Sequence, residues 1–196
     1  MRALKYDFKI NKLDIKNLNH KKLNNKNINI IHVPFNRKFL SEYIYRSFEK
    51  ALLLAKKNDK INLINGPINK KKILKRKFLG ITEYLDFKTK SKGKSVMLIY
   101  NKDLSVSPLT THLPLKKVHK FISKKKLINH VKQITNFYKK RFKIIPKIGI
   151  TGLNPHCESN FDKSEEEQII IPVINPLSEK RFKVSGPMLQ IQFFSK

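Results

Sequence analysis

The chain has 196 residues and is 40% hydrophobic, enough to bury one ordinary core and too short for several large domains. Its 43 Lys and Arg against 14 Asp and Glu give a net charge of +29, a balance that ordinarily points to nucleic acid or an anionic surface. Only Arg2, Arg37, Arg46, Arg76, Arg141 and Arg181 are arginines. A nucleic-acid face leans on arginine for bidentate contacts, whereas a Lys, Asn and Ile excess spread along the chain reads as solvated surface. Nucleic acid is therefore not expected as the partner, and any such binding should be weak and vanish near physiological salt. No apolar run is long enough to cross a bilayer and no signal-peptide core is present, so no membrane association is expected. Cys157 is the only cysteine, which excludes an internal disulfide and fits a reducing, cytoplasmic setting.

In chain order, residues 1–27 form a poorly defined basic N-terminal segment in which nothing fixes a fold. Ile28–Val33 then reads as a strand, and Leu40, Ile44, Phe48 and Leu52 recur at four-residue spacing, the apolar face of a helix. Ile61–Asn65 reads as a short buried strand stopped by Gly66-Pro67, and Lys70–Lys77 as the start of a basic helix. Ser95–Tyr100 and Leu104–Leu109 read as two strands about the turn Asn101-Lys102-Asp103. Leu127, Val131, Ile134 and Tyr138 mark a long helix ending near Phe142, and Pro146 leads into a strand over Lys147–Thr151. Ser164 with Glu167 three residues on is a capping box, and Glu165 and Glu166 add negative charge where a helix dipole favours it. Strands alternating with helices predict an α/β chain with a mostly parallel or mixed sheet covered on both faces. With no repeat and no Ser/Gly linker, residues 28–196 are expected to form a single α/β domain.

Two turns carry the chemistry. Thr110-Thr111-His112-Leu113-Pro114 follows the strand predicted over Leu104–Leu109, and Gly152-Leu153-Asn154-Pro155-His156 follows the strand predicted over Lys147–Thr151. Ligands in open α/β sheets bind outside the carboxyl ends of the strands, so two strands of this kind would deliver two imidazoles to one sheet edge. Proline-stiffened loops would hold them as half of a metal site. Both histidines should then lie on the same side of the sheet. Cys157 reads as a small, partly buried loop residue rather than a ligand or nucleophile. His20, His32, His119 and His130 read as surface or packing residues.

The segments Ile64–Lys71, Phe78–Leu85, Pro108–Leu115, Gly149–His156 and Ser164–Ile174, followed by Ser185-Gly186-Pro187, occur in the order and approximate spacing of one family. From about Ile28 to its C-terminus the chain resembles 4-hydroxythreonine-4-phosphate dehydrogenase, an NAD-dependent enzyme of pyridoxal phosphate biosynthesis. The resemblance implies a three-layer α/β/α sandwich of the isocitrate/isopropylmalate dehydrogenase type, of which this chain would be the central part. It implies NAD (or NADP) and a divalent metal (Zn, Mg or Mn) as cofactors, and a homodimer with shared active sites. His112 and His156 would be metal ligands, and Thr82 a contact to the small phosphorylated amino-acid substrate. The metal would hold the substrate and polarise the carbon that loses hydride, after which the keto acid loses carbon dioxide.

The chain also departs from the family pattern. Ile81 stands where the GHTE motif has His, and Ile191 where an active-site Asp is found. The glycines after GLNPH are replaced by Cys157-Glu158-Ser159-Asn160-Phe161. The family's GDPAGIGPE segment, its third metal histidine in a YHDQ context, and its substrate-gripping Lys, Asn and Arg have no counterpart in these 196 residues. The resemblance thus implies either a dehydrogenase assembled with further segments or a truncated, inactive copy; a basic nucleic-acid-binding protein is the other alternative.

Overall fold

The computed structural model describes residues 9–16, 23, 26–57, 61–69, 73–74, 77–78, 80–157 and 163–189. They fall into two compact units, Met1–Ile81 and Thr82–Lys196.

In the first unit, β1 (Ile10–Lys12) and β2 (Ile28–Ile30) pair in parallel with Asn11 beside Asn29. The Asn11 side-chain amide donates to the Asn29 side-chain oxygen at 2.9 Å, so register is fixed by a polar pair as well as by the ladder. The sequence held no signal for β1, and β2 is shorter than the strand expected over Ile28–Val33. Asn36 caps the turn before α1 (Leu40–Lys57), its side-chain oxygen accepting the Lys38 N–H at 2.9 Å. Of the predicted stripe, Phe48 is buried, Ile44 and Leu52 are half-buried, and Leu40 is exposed. The Tyr45 hydroxyl donates to the carbonyl of Ile73, which is buried together with Leu74. Of the helix expected over Lys70–Lys77, Ile73 and Leu74 are helical; residues 70–72, 75 and 76 lie outside the described residues. The strand expected over Ile61–Asn65 is not formed. This segment makes no ladder among the described residues: Ile61 and Leu63 are half-buried and Ile64 is 92% exposed, so the run buries one face without a backbone partner to make it a strand.

The second unit holds α2 (Ile81–Thr89, entered at its first residue), α3 (Lys124–Phe142), β3 (Ile148–Thr151), α4 (Ile171–Glu179) and β4 (Val184–Met188). A single π-helical turn, Glu166–Ile170, leads into α4. Ser123 caps α3 by accepting the Lys126 N–H, and Lys143 ends it in a left-handed conformation. Lys139, Lys140 and Arg141 lie in its last turn, where cations complement the helix dipole. Leu127 and Val131 of α3 meet Ile170, Val173, Ile174 and Leu177 across the π turn and α4, with Val184 of β4 completing the core.

Strands β3 and β4 are parallel, with Ile148 opposite Val184, Gly149 opposite Ser185 and Thr151 opposite Met188. Gly186 and Pro187 therefore both stand opposite Ile150, a bulge that admits a proline without an N–H to pair. Among the described residues the expected single sheet is instead two parallel pairs.

The largest correction concerns residues 95–109. In place of two strands, a single antiparallel bridge joins Ile99 to Val106, and the reason lies in the flanking rungs. In this register Met97 faces Pro108, which has no N–H to donate; the Ser107 hydroxyl donates to the Met97 carbonyl at 2.7 Å instead. On the other side, the Asn101 N–H donates to the Ser105 hydroxyl oxygen, and that hydroxyl donates to the Asn101 carbonyl. Serine hydroxyls thus substitute for the ladder at both ends, and the segment that leads to His112 is not a strand of a parallel sheet.

Candidate functional site

Both histidine turns leave from one core. Leu109, three residues before His112, packs against the cluster of Leu127, Val131 and Val173, as do Ile148 and Ile150 of the strand before His156. Each turn is also held by a buried polar side chain. His130, on α3, is 8% exposed; its Nδ1 lies 3.2 Å from the Lys126 carbonyl, and its ring also meets the carbonyl of Pro108, at the root of the first turn. A neutral imidazole has one N–H and cannot donate to both carbonyls, whereas the protonated ring can. Burial nevertheless dominates. It lowers the His130 pKa, the two carbonyls oppose that shift, and the nearby Lys126 charge reinforces it.

The second turn is held more extensively. The Gly152 N–H donates to the Met188 carbonyl at 3.3 Å. The Leu153 and Asn154 N–H groups both donate to one carboxylate oxygen of Glu166, at 2.7 and 2.9 Å. The Asn154 side-chain oxygen then accepts the His156 N–H at 3.0 Å, and the Asn154 carbonyl accepts the Cys157 N–H at 3.0 Å. Glu166 is only 3% exposed. Burial alone would raise its pKa, but hydrogen bonds from the amides of Asn154, Glu166 itself and Leu153 and from the Ser164 hydroxyl outweigh that and hold it below the ordinary value.

Glu166 is the residue that the sequence reading missed. In sequence it stands beside Glu165 as charge for a helix N-terminus, and Ser164 does cap there, its hydroxyl oxygen accepting the Glu167 N–H at 3.2 Å. The missed signal is its spacing: Glu166, Ile170, Val173, Ile174 and Leu177 form one helical stripe, and all five are buried. A carboxylate on the buried stripe needs a partner.

These shifts give a testable pH dependence. A histidine whose folded pKa lies below its ordinary 6.5 binds its proton more readily when unfolded, so its contribution is complete above 6.5 and declines as pH falls below it. Glu166, shifted below 4.5, contributes above that value and loses its contribution as pH falls through the folded pKa. Urea unfolding midpoints should therefore drop in two stages on acidification. His130→Gln should flatten the first, between about pH 7 and 5, and leave the second; an unchanged profile in that variant would remove His130 as the cause.

His112, at φ 57, and His156 are both exposed, as is Thr82, the second residue of α2. Imidazole nitrogens suit a divalent transition ion, and a catalytic zinc takes three protein ligands and an open position. Among the described residues no group of three or more His, Cys, Asp or Glu converges. Imidazole is a donor of the kind such a site takes, so the chemistry of each histidine suits a metal, while the described residues supply no complete ligand set. Ile191 and residues 158–161 lie outside the described residues; Cys157 is half-buried, with φ 57.

Comparison with solved structures places the architecture first. The chain superposes on a 4-hydroxythreonine-4-phosphate dehydrogenase from Klebsiella pneumoniae with a TM-score of 0.75 at 21% identity, covering 93% of this chain and 59% of that one. The match to the enzyme of the same name from Burkholderia phymatum has a TM-score of 0.66 at 24% identity over 95% and 60%. Both superpositions place the chain in an α/β fold. In sequence, the chain is 39% identical to the 4-hydroxythreonine-4-phosphate dehydrogenase of Sulfurihydrogenibium sp. (strain YO3AOP1) over 140 residues, 69% of this chain and 42% of that protein. It is 32% identical to the enzyme of Wigglesworthia glossinidia brevipalpis over 163 residues, 80% of this chain and 48% of the relative. Residues 1–196 match the family described as Pyridoxal phosphate biosynthetic protein PdxA, and the chain belongs to that family. It spans somewhat less than half the length of these two curated relatives. No helix among the described residues is long and apolar enough to cross a membrane.

Proposed function

We propose that this chain serves the NAD-dependent (or NADP-dependent), divalent-metal-dependent oxidation and decarboxylation of 4-hydroxy-L-threonine 4-phosphate in vitamin B6 synthesis. It would do so as part of a cytoplasmic homodimeric α/β/α sandwich with shared sites. The observation that carries this reading is family membership together with two histidine turns rooted in one core. His112 and His156 would hold the metal, and the Thr82 hydroxyl would contact the phosphorylated substrate. A bound Zn²⁺, Mg²⁺ or Mn²⁺ would supply Lewis-acid polarisation of the substrate oxygen. The chain's own part is to orient: the buried roots at His130 and Glu166 hold the two turns, and the exposed ends of those turns present the imidazoles.

Ile81 and Ile191 favour a second reading, a non-catalytic copy. Neither side chain has a donor or acceptor for a substrate polar group. The 196-residue chain alone is accordingly expected to release no NADH from this substrate with NAD and Mg²⁺, Mn²⁺ or Zn²⁺, and Ile191→Asp alone should not restore it. The two readings separate in a chimera carrying this chain's matching segment, Ile81 and Ile191 unaltered, within the Sulfurihydrogenibium relative. Metal-dependent NADH release that disappears on His112→Ala supports the dehydrogenase reading. A folded chimera with no turnover would leave the non-catalytic copy as the answer.

A further inference from the structure

We propose that Glu166 is a positioning residue: its buried carboxylate fixes the turn that presents His156, setting that imidazole in place before any metal arrives. This rests on the reading of His156 as a metal ligand, and it adds a residue that has no assigned part in that reading.

The argument is a continuous series of ties. From the end of β3, the Gly152 N–H is held by Met188 of β4. The next two N–H groups, Leu153 and Asn154, converge on Glu166 Oε1. Asn154 in turn holds the next part of the turn, accepting the His156 N–H with its side chain and the Cys157 N–H with its carbonyl. Every residue from Gly152 to Cys157 that has an N–H is thus accounted for, and the two central ties end on one side chain from another element. Two successive amides on one anionic oxygen form a concave anion cradle. Charge-assisted bonds of this kind are stronger than bonds between neutral groups.

The anchor is itself rigid. Glu166 begins the π-helical turn Glu166–Ile170, in which the Ile171 N–H reaches back to the Glu166 carbonyl. Ile170 at the other end of that turn is 4% exposed within the core. Single π turns recur where a helix must aim a functional side chain. Gly152 leaves the necessary space, since a Cβ there would sit 3.1 Å from the same Glu166 oxygen. Outer groups that orient metal ligands are commonly worth about 10–100-fold in metal affinity.

The test compares Glu166→Ala and Glu166→Gln with the unaltered chain and with His156→Ala. Amide hydrogen exchange of the metal-free protein at Leu153, Asn154 and His156 is read beside Zn²⁺ affinity from titration. In Glu166→Ala, exchange should rise at these three amides while Val131 and Val173 keep their protection, and Zn²⁺ affinity should fall about tenfold or more. Glu166→Gln retains an acceptor oxygen, should recover part of both losses, and serves if the alanine variant fails to fold. Unchanged exchange at Leu153 and Asn154 would overturn the proposal whatever the metal does. So would undiminished Zn²⁺ affinity in Glu166→Ala where His156→Ala weakens it. If His156→Ala leaves Zn²⁺ affinity unchanged, the ligand assignment itself falls and the positioning role with it; the exchange data would then still show whether Glu166 holds the turn.

Discussion

Replacing Gly186 with alanine should destabilise the second unit by on the order of 4 kcal/mol, combining backbone strain with overpacking. Gly186 sits at φ 141, which L side chains rarely adopt. An added Cβ would collide with the Ile150 carbonyl oxygen and lie 3.3 Å from the Ile150 side chain. That oxygen belongs to the middle of β3 and cannot retreat without parting β3 from β4. The strand pair carries Ile148, Ile150 and Val184 into the core, so the loss should be global. Urea denaturation followed by circular dichroism would measure it, and a midpoint within error of the unaltered chain would show that the bulge can relax.

Gly152→Ala should cost about 1–3 kcal/mol, and its damage should be local first. A Cβ there would stand 2.7 Å from Cys157 Sγ, 3.0 Å from the Asn154 carbonyl oxygen and 3.1 Å from Glu166 Oε1. The thiol can rotate away, but the other two atoms are fixed by the bonds that shape the turn. Relief therefore means lengthening the contacts between Glu166 and Leu153 and Asn154, which would leave a buried carboxylate short of donors. Faster amide exchange at Leu153 and Asn154, with a modest fall in unfolding midpoint, is the expected signature. A midpoint loss with those amides still protected would place the strain elsewhere.

The two helices with clear apolar spacing, α1 and α3, were legible because a 3.6-residue period can be read from one stretch of chain. Ile148–Thr151 was legible too, but its partner β4 was not: a strand containing Gly186-Pro187 exists because a bulge opposite Ile150 makes room for it. The segments over 61–65, 95–100 and 104–109 show the converse. Their composition suits strands, yet strand formation depends on the partner: Pro108 donates nothing within the hairpin, and residues 61–65 meet no ladder partner among the described residues. The histidine turns were readable as motifs, whereas their supports were not. His130 and Glu166 act through carbonyls and amides, which leave no mark on sequence. Only the coincidence of Glu166 with the apolar stripe of α4 hinted at its burial.

The serine-interrupted hairpin has a further effect on how the molecule meets its neighbours. Met97, Ile99, Leu104 and Val106 are 40 to 56% exposed, and this apolar content on a long regular edge would invite another chain to add a strand. Here the edge is one bridge long. The Ser105 and Ser107 hydroxyls take up the inward-facing groups of Asn101 and Met97, and Pro108 has no N–H to form the next rung, so the pairing does not extend. The features that stop the pairing after one bridge therefore also keep residues 95–109 from building a long regular edge, while the apolar side chains stay in view.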